Sequence, residues 1–153
     1  PPVLFQVLSH RSTIERVESI RSQFQGKVIF AAIDRIASLK GIPLKLIALE
    51  RFLQRCPEWA GKIVLIQVGI SAFERGDDYT TTRNEVLAMV TNINDRWPNT
   101  VHFMECVESE MRLQQRMALL KAADVVMVTT IRDGLNLIPL VSVQLFFITF
   151  QDN

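Results

Sequence analysis

Four short apolar runs alternate along this chain with stretches of helical periodicity, and this alternation limits the fold more than any other feature. The runs cover residues 27–33, 62–68, 101–104 and 124–129. Runs of this kind fit strands of a parallel sheet that is covered on both faces. Because strands that alternate with helices are joined by right-handed crossovers, the predicted fold is α/β, with a Rossmann-like parallel sheet and helices on both faces.

The helices are predicted between these strands. Apolar residues recur at three- and four-residue spacing over about 12–24, 43–56, 79–97 and 110–123. With 153 residues, 48% of them hydrophobic, the chain can form one domain with a sizeable core. Its formal net charge of +1 gives no reason to expect nucleic acid or an anionic membrane as a partner.

Several other functional classes are disfavoured. No apolar run approaches the length of a membrane span, and the N-terminus lacks the profile of a signal peptide. Cys56 and Cys106 show no metal-ligand or disulfide-framework spacing, so we expect a cytoplasmic protein with free thiols and no metal. The start at Pro1, without Met, indicates a piece of a longer protein.

Two short motifs carry the chemistry. The first, D-R-I-A-S-L-K-G-I-P at residues 34–43, follows the first predicted strand, and the second, R-D-G-L-N-L at 132–137, follows the fourth. In an open α/β sheet, loops that leave the carboxyl ends of the strands share one edge, and ligands bind there. We therefore expect the two motifs to form one site.

The residue types in these motifs suit an anionic sugar nucleotide. Arg35 offers a planar fork of donors and Lys40 a mobile charge for a diphosphate, while Gly41 allows a close approach of backbone to ligand. Asp133 can accept hydrogen bonds from sugar hydroxyls, and residues 134–136 can present backbone N–H groups at a helix start. The residues alone leave a simpler alternative open, namely solvated loop charges and a helix capped by Asp133.

Taken together, the motifs resemble those of the trehalose-6-phosphate synthases, glycosyltransferase family 20. The family's D-R-L-D-Y-I-K-G-I-P and R-D-G-M-N-L stand here at residues 34–43 and 132–137 in slightly changed form. The family's K-L-x-A-x-E-R-F-L helix matches residues 45–53, and A-A-D-V matches 122–125. The resemblance covers roughly residues 10–140 and is specific, because several motifs occur in the family's order and spacing.

The resemblance implies the C-terminal, donor-binding half of a GT-B glycosyltransferase. Such an enzyme transfers glucose from UDP-glucose to glucose-6-phosphate with retention, in trehalose biosynthesis, and needs no metal or other cofactor. Glucose-6-phosphate would bind only with an N-terminal domain that is missing here, so the isolated piece is expected to be inactive. The parent protein could also be fused to a trehalose-phosphatase domain.

The resemblance also implies roles for the site residues. Arg35 and Lys40 would hold the donor diphosphate, and Asp133 would bind glucose hydroxyls; these three are the predicted catalytic residues. No protein nucleophile is needed, because the leaving phosphate is thought to help deprotonate the acceptor. The predicted UDP-glucose contacts also include five neighbouring positions: Gly41, Gly134, Leu135, Asn136 and Leu137.

The chain departs from the family within the first motif, in the absence of the N-terminal domain, and after Leu140. Ala37 and Ser38 replace an Asp-Tyr pair, and Val141 stands where the family has a glutamate that holds the ribose hydroxyls. Residues 141–153 form a β-rich, apolar tail without resemblance to the family, so the domain is predicted to span residues 1–140. We hypothesise that a retained intron, a frameshift or a mis-joined gene produced this tail; the alternative is a genuine last strand.

These departures leave two other interpretations. The chain could belong to a non-catalytic, regulatory protein that is similar to the synthases. It could also be an unrelated flavodoxin-like or phosphate-binding module, if the motifs match only by chance.

Overall fold

The computed structural model of the protein describes residues 2–71, 76–134 and 136–151. The helices within these ranges are α1 (Pro2–Ser9), α2 (Arg11–Gln23), α3 (Ile42–Arg55), α4 (Asp77–Arg96), α5 (Leu113–Ala122) and α6 (Ile138–Gln151). The strands are β1 (Val28–Arg35), β2 (Ile63–Ser71), β3 (Val101–Val107) and β4 (Val125–Val126). Short 3-10 turns cover Ser38–Lys40 and Pro57–Trp59.

The strands form one parallel sheet in the order β3-β2-β1-β4. All of β2 is buried, because both faces of the sheet are covered. One apolar cluster joins one face to α1, α2, α5 and α6, and a second joins the opposite face to α3 and α4. The predicted α/β class, with helices on both faces of a parallel sheet, is therefore confirmed. All four strands end at the same edge, which is where the two motifs follow β1 and β4.

The fourth strand is shorter than the predicted run over residues 124–129. Only Val125 and Val126 pair with β1, and the backbone then turns toward the loop that follows β1. Helix α1 was not predicted, and α5 begins three residues later than expected because residues 107–110 form a hydrogen-bonded turn.

The tail adopts a helix, so the alternative of a last strand after Leu140 is wrong over its described residues. The side chain of Asn136 accepts a hydrogen bond from the backbone N–H of Ile138 at 3.0 Å, which satisfies one free donor at the start of α6. Pro139 fits the first turn of a helix, where its missing N–H costs nothing. Leu145 is 4% exposed and packs in the first apolar cluster. Capping and packing thus outweigh the β propensity of this segment.

Candidate functional site

The two motifs lie side by side at the carboxyl edge of the sheet, as the sequence predicted. The backbone N–H of Ile131 donates to the carbonyl of Leu39 at 3.0 Å, and the Thr129 hydroxyl donates to the carbonyl of Gly41 at 3.2 Å. The loop after β1 is held on its other side by the N–H of Ser38, which donates to Asp78 at 3.2 Å. The loops are therefore joined by one backbone–backbone hydrogen bond and one from the Thr129 hydroxyl, independently of any ligand.

Gly41 is required by the contact between these loops. Its φ is +73°, and a Cβ added there would lie 2.2 Å from the carbonyl oxygen of Thr129. The sequence predicted a glycine that lets the backbone approach a ligand, whereas the close approach in this structure is to Thr129, three residues before the second motif. An alanine cannot be accommodated here without moving one of the two backbones.

A cavity of about 440 Å³ opens between the motifs. Five of the predicted site residues line it: Arg35, Lys40, Asp133, Asn136 and Leu137. Gly41 and Gly134 are not among its lining residues, and Leu135 lies outside the residues that the structure describes. The cavity has the size of a small-molecule site and carries charges of both signs.

Lys40 and Asp133 form an ion pair across the cavity, with 3.0 Å between Nζ and Oδ2. The hydrogen bond from Lys40 is the main cause that lowers the pKa of Asp133, and the backbone N–H of Gly134, which donates at 3.1 Å, lowers it further. Asp133 is therefore a charged acceptor at neutral pH. Both side chains stay partly exposed, so the pair is weak and can open toward a ligand.

The side chain of Asn136 is occupied by the fold. Its oxygen caps α6 through Ile138, and its amide nitrogen lies 3.4 Å from the hydroxyl of Thr130. A ligand contact from this position is thus left to the backbone.

A buried polar network supports the first motif from below, and sequence reasoning missed it. Lys45 on α3 is 0% exposed and donates to Asp34 at 2.6 Å and to Gln67 at 3.0 Å. Gln67 in turn donates to Asp34 at 3.0 Å, so the end of β1, the middle of β2 and the first turns of α3 are tied together. Burial lowers the pKa of Lys45, and the carboxylate of Asp34 partly opposes this.

A sequence signal for this network existed. Lys45 stands three residues after Ile42 and four before Leu49, both of which are buried. Leu44 and Phe52 on the same helix are instead 52% and 37% exposed. A lone glutamine inside the apolar run of β2 was the second signal, since a buried amide requires partners.

The cavity also contains Glu108 and Arg116, which belong to neither motif. Glu108 is paired with Arg116 and lies 3.7 Å from Arg35. Glu108 directly follows β3 and Arg116 lies on α5, where the chain shows no motif, so only the tertiary structure places them here.

The described residues form neither a metal-ligand cluster nor a membrane-spanning helix. Among the described residues, no group of three or more His, Cys, Asp or Glu side chains could hold a metal ion. Cys56 and Cys106 are free thiols. His102 packs edge-on against Phe24, with 5.7 Å between the ring centroids. None of the described helices is both long enough and apolar enough to cross a bilayer.

A parallel sheet with helices on both faces, and a charged cavity where its strands end, defines an α/β domain of the Rossmann type. The sequence profile of glycosyltransferase family 20 matches residues 1–145. The chain belongs to this family.

Individual relatives agree with this assignment. The chain is 37% identical over 127 residues to the UDP-forming alpha,alpha-trehalose-phosphate synthase 2 of Aspergillus fumigatus, a match that covers 80% of this chain and 26% of that protein. The N-terminal domain of a Candida albicans trehalose-6-phosphate phosphatase superposes with a TM-score of 0.78 at 26% identity, over 87% of this chain and 28% of that one.

A third relative has the same fold at lower identity. A trehalose-6-phosphate protein from E. coli, solved with UDP-2-fluoro glucose bound, gives a TM-score of 0.78 at 20% identity over 86% of this chain and 29% of that one. The predicted Rossmann-like half of a GT-B fold is thereby confirmed. The chain spans less than a third of each of these relatives.

Proposed function

We propose that this chain is the C-terminal, donor-binding domain of an alpha,alpha-trehalose-phosphate synthase and binds UDP-glucose. The observation that carries the proposal is that both family motifs meet at one cavity, into which Arg35, Lys40 and Asp133 project charged groups. A UDP-forming relative and a related structure with a bound UDP-glucose analogue support the choice of ligand.

In the proposed mechanism Arg35 and Lys40 hold the donor diphosphate. Negative charge grows on the leaving phosphate as the glycosidic bond breaks, and positioned cations stabilise it. Lys40 exchanges its partner from Asp133 to the phosphate, which frees Asp133 to accept from glucose hydroxyls. The other proposed contacts are positions on the two loops: Gly41, Gly134, Leu135, Asn136 and Leu137.

The complete enzyme, in this proposal, transfers glucose to glucose-6-phosphate with retention in the cytoplasm. The acceptor binds between this domain and an N-terminal domain, and residues 1–140 form the donor domain, followed by the tail over 141–153. Fusion of the parent to a trehalose-phosphatase domain is proposed as well, in keeping with the similarity to the N-terminal domain of the Candida phosphatase.

Calorimetric titration with UDP-glucose tests the donor site. We expect the wild-type chain to bind and the Arg35→Ala/Lys40→Ala variant to lose measurable binding, because both cations facing the diphosphate are removed. The matched control is Lys27→Ala/Arg96→Ala, which removes the same charges at the opposite edge of the sheet, where Lys27 contacts Asn99 and Arg96 contacts Glu50. A folded wild-type chain that does not bind UDP-glucose would contradict the proposal.

The isolated chain is expected to form no trehalose-6-phosphate. In this proposal its cavity is the donor site, and the acceptor site needs a second domain across a cleft. A coupled assay of UDP release with UDP-glucose and glucose-6-phosphate checks this expectation, with a complete family member as the positive control. Turnover by residues 1–153 above the rate without glucose-6-phosphate would show that the acceptor site is present in this chain.

A regulatory, non-catalytic protein is the second candidate. It is favoured by Val141, which stands where the resemblance implies a ribose-holding glutamate and packs partly buried against the first apolar cluster. Replacement of the family's Asp-Tyr pair by Ala37 and Ser38 points the same way. Binding of UDP-glucose separates the two candidates poorly, whereas the acceptor-domain residues of the full-length protein separate them directly.

A further inference from the structure

Arg116 is a cation of the cavity that neither motif contains. It lies in the second turn of α5, and its side chain is 29% exposed. Its Nε donates to the carbonyl of Met111 at 2.9 Å, which holds the base of the guanidinium, and its Nη2 donates to Glu108. Arg116 is therefore held in place before any ligand arrives.

Glu108 lies between two guanidinium groups. One oxygen accepts from Arg116, and the other lies 3.7 Å from a terminal nitrogen of Arg35. Guanidinium groups bind carboxylate and phosphate oxygens with the same fork of donors. The carboxylate of Glu108 thus occupies the position that a phosphate group would take between Arg35 and Arg116.

The charge balance of the cavity favours an anion. Asp34 also lines the cavity but is already paired with the buried Lys45. The other charged side chains that line the cavity, among the described residues, are three cations and two carboxylates: Arg35, Lys40, Arg116, Glu108 and Asp133. Displacement of Glu108 into solvent would raise the positive charge that faces a ligand.

Displacement of Glu108 from Arg35 costs little free energy. The side chains of Arg35 and Glu108 are 68% and 55% exposed, and exposed ion pairs at this distance are weak. A diphosphate carries more charge and more acceptor oxygens than one carboxylate, so it competes well for both guanidinium groups.

We infer that Arg116 is a further anion-binding residue of this site, and that Glu108 is a built-in counter-ion, which a bound phosphate group displaces from Arg35. The inference rests on the proposed function, because it assumes that the cavity takes the diphosphate of a nucleotide sugar. It adds a residue of α5 to the two motifs, and it makes Glu108, which follows β3, a determinant of affinity.

The test is calorimetric titration with UDP of the wild-type chain and of Arg116→Ala, Glu108→Gln and Arg96→Ala. Arg116→Ala is expected to weaken the Kd about tenfold, since it removes a charge-assisted contact. Glu108→Gln is expected to tighten the Kd severalfold, since no counter-ion needs to be displaced. Arg96→Ala removes an equivalent exposed pair with Glu50 and should leave the Kd unchanged.

Two further measurements keep the test independent of folding. Thermal unfolding shows whether each variant folds. If Arg116→Ala does not fold, Arg116→Gln, which keeps a long polar side chain, is titrated in its place. In the NMR spectrum of the wild-type chain, the Nε–H resonance of Arg116 should shift when UDP is added.

The outcomes separate the inference from the proposed function. An unchanged Kd in folded Arg116 variants, a weaker Kd in Glu108→Gln, or an unshifted Arg116 signal under saturating UDP would each overturn the inference. In all of these cases binding that still depends on Arg35 and Lys40 would leave the proposed function standing. A folded wild-type chain that does not bind UDP would contradict the proposed function, and the inference with it.

Discussion

Replacement of Gly41 by alanine is expected to lower the free energy of unfolding by about 3 kcal/mol, one of the two largest effects among single substitutions in this site. Two costs add: a left-handed φ of +73° in a residue with a Cβ, and a Cβ placed 2.2 Å from the carbonyl oxygen of Thr129. Relief of the clash has to separate the two motifs, so binding of UDP-glucose should weaken as well. Denaturant unfolding measures the first effect and calorimetry the second.

Gly26 and Gly61 provide a matched control. Both have φ values close to that of Gly41, at +79° and +77°, but a Cβ at either position would meet nothing within 4 Å. Gly26→Ala and Gly61→Ala should therefore show only the backbone cost, about 1 kcal/mol. If Gly41→Ala destabilises the chain no more than these two variants, the contact with Thr129 is not what selects glycine at position 41.

Replacement of Lys45 by methionine is expected to destabilise the chain by about 3 to 5 kcal/mol, because it leaves Asp34 buried without its cationic partner. Lys45 is 0% exposed, and Asp34 is 7% exposed. Because Asp34 directly precedes Arg35, the loss should also disturb the end of β1 that holds the site. Equilibrium unfolding in denaturant gives the magnitude.

A double variant distinguishes the buried charge from simple loss of packing. Lys45→Met/Asp34→Asn leaves no ion in the interior and keeps a polar partner for Gln67, so it should be more stable than Lys45→Met alone. Arg96→Ala, which breaks an exposed ion pair of 2.7 Å with Glu50, should cost less than about 1 kcal/mol. A double variant that is less stable than the single one would show that the stability of this region does not depend on charge compensation.

Much of the fold could be predicted from local pattern. The first three strands follow from apolar runs, and α2, α3 and α4 lie within a few residues of the predicted bounds. The meeting of residues 34–43 and 132–137 could be predicted because parallel strands send their following loops to the same edge.

The incorrect predictions for the tail and for the length of β4 have identifiable causes. The tail has strong β propensity, but a cap from Asn136 and burial of Leu145 are compatible with a helix there. β4 is short because the backbone leaves β1 after this pairing, and Ile131 instead donates to Leu39 in the loop that follows β1. Propensity is a weak guide where capping and packing decide.

The sequence by itself determined the class of fold, the family and the position of the two motifs, since each depends on local periodicity or on short contiguous strings. Only the tertiary structure decided which charges are paired. Lys45 is buried against Gln67 on β2, 22 positions away. Arg35 at the end of β1 lies 3.7 Å from Glu108, which follows β3. Electrostatic interactions depend on distance and burial in space, which sequence spacing does not specify once the partners lie on different elements.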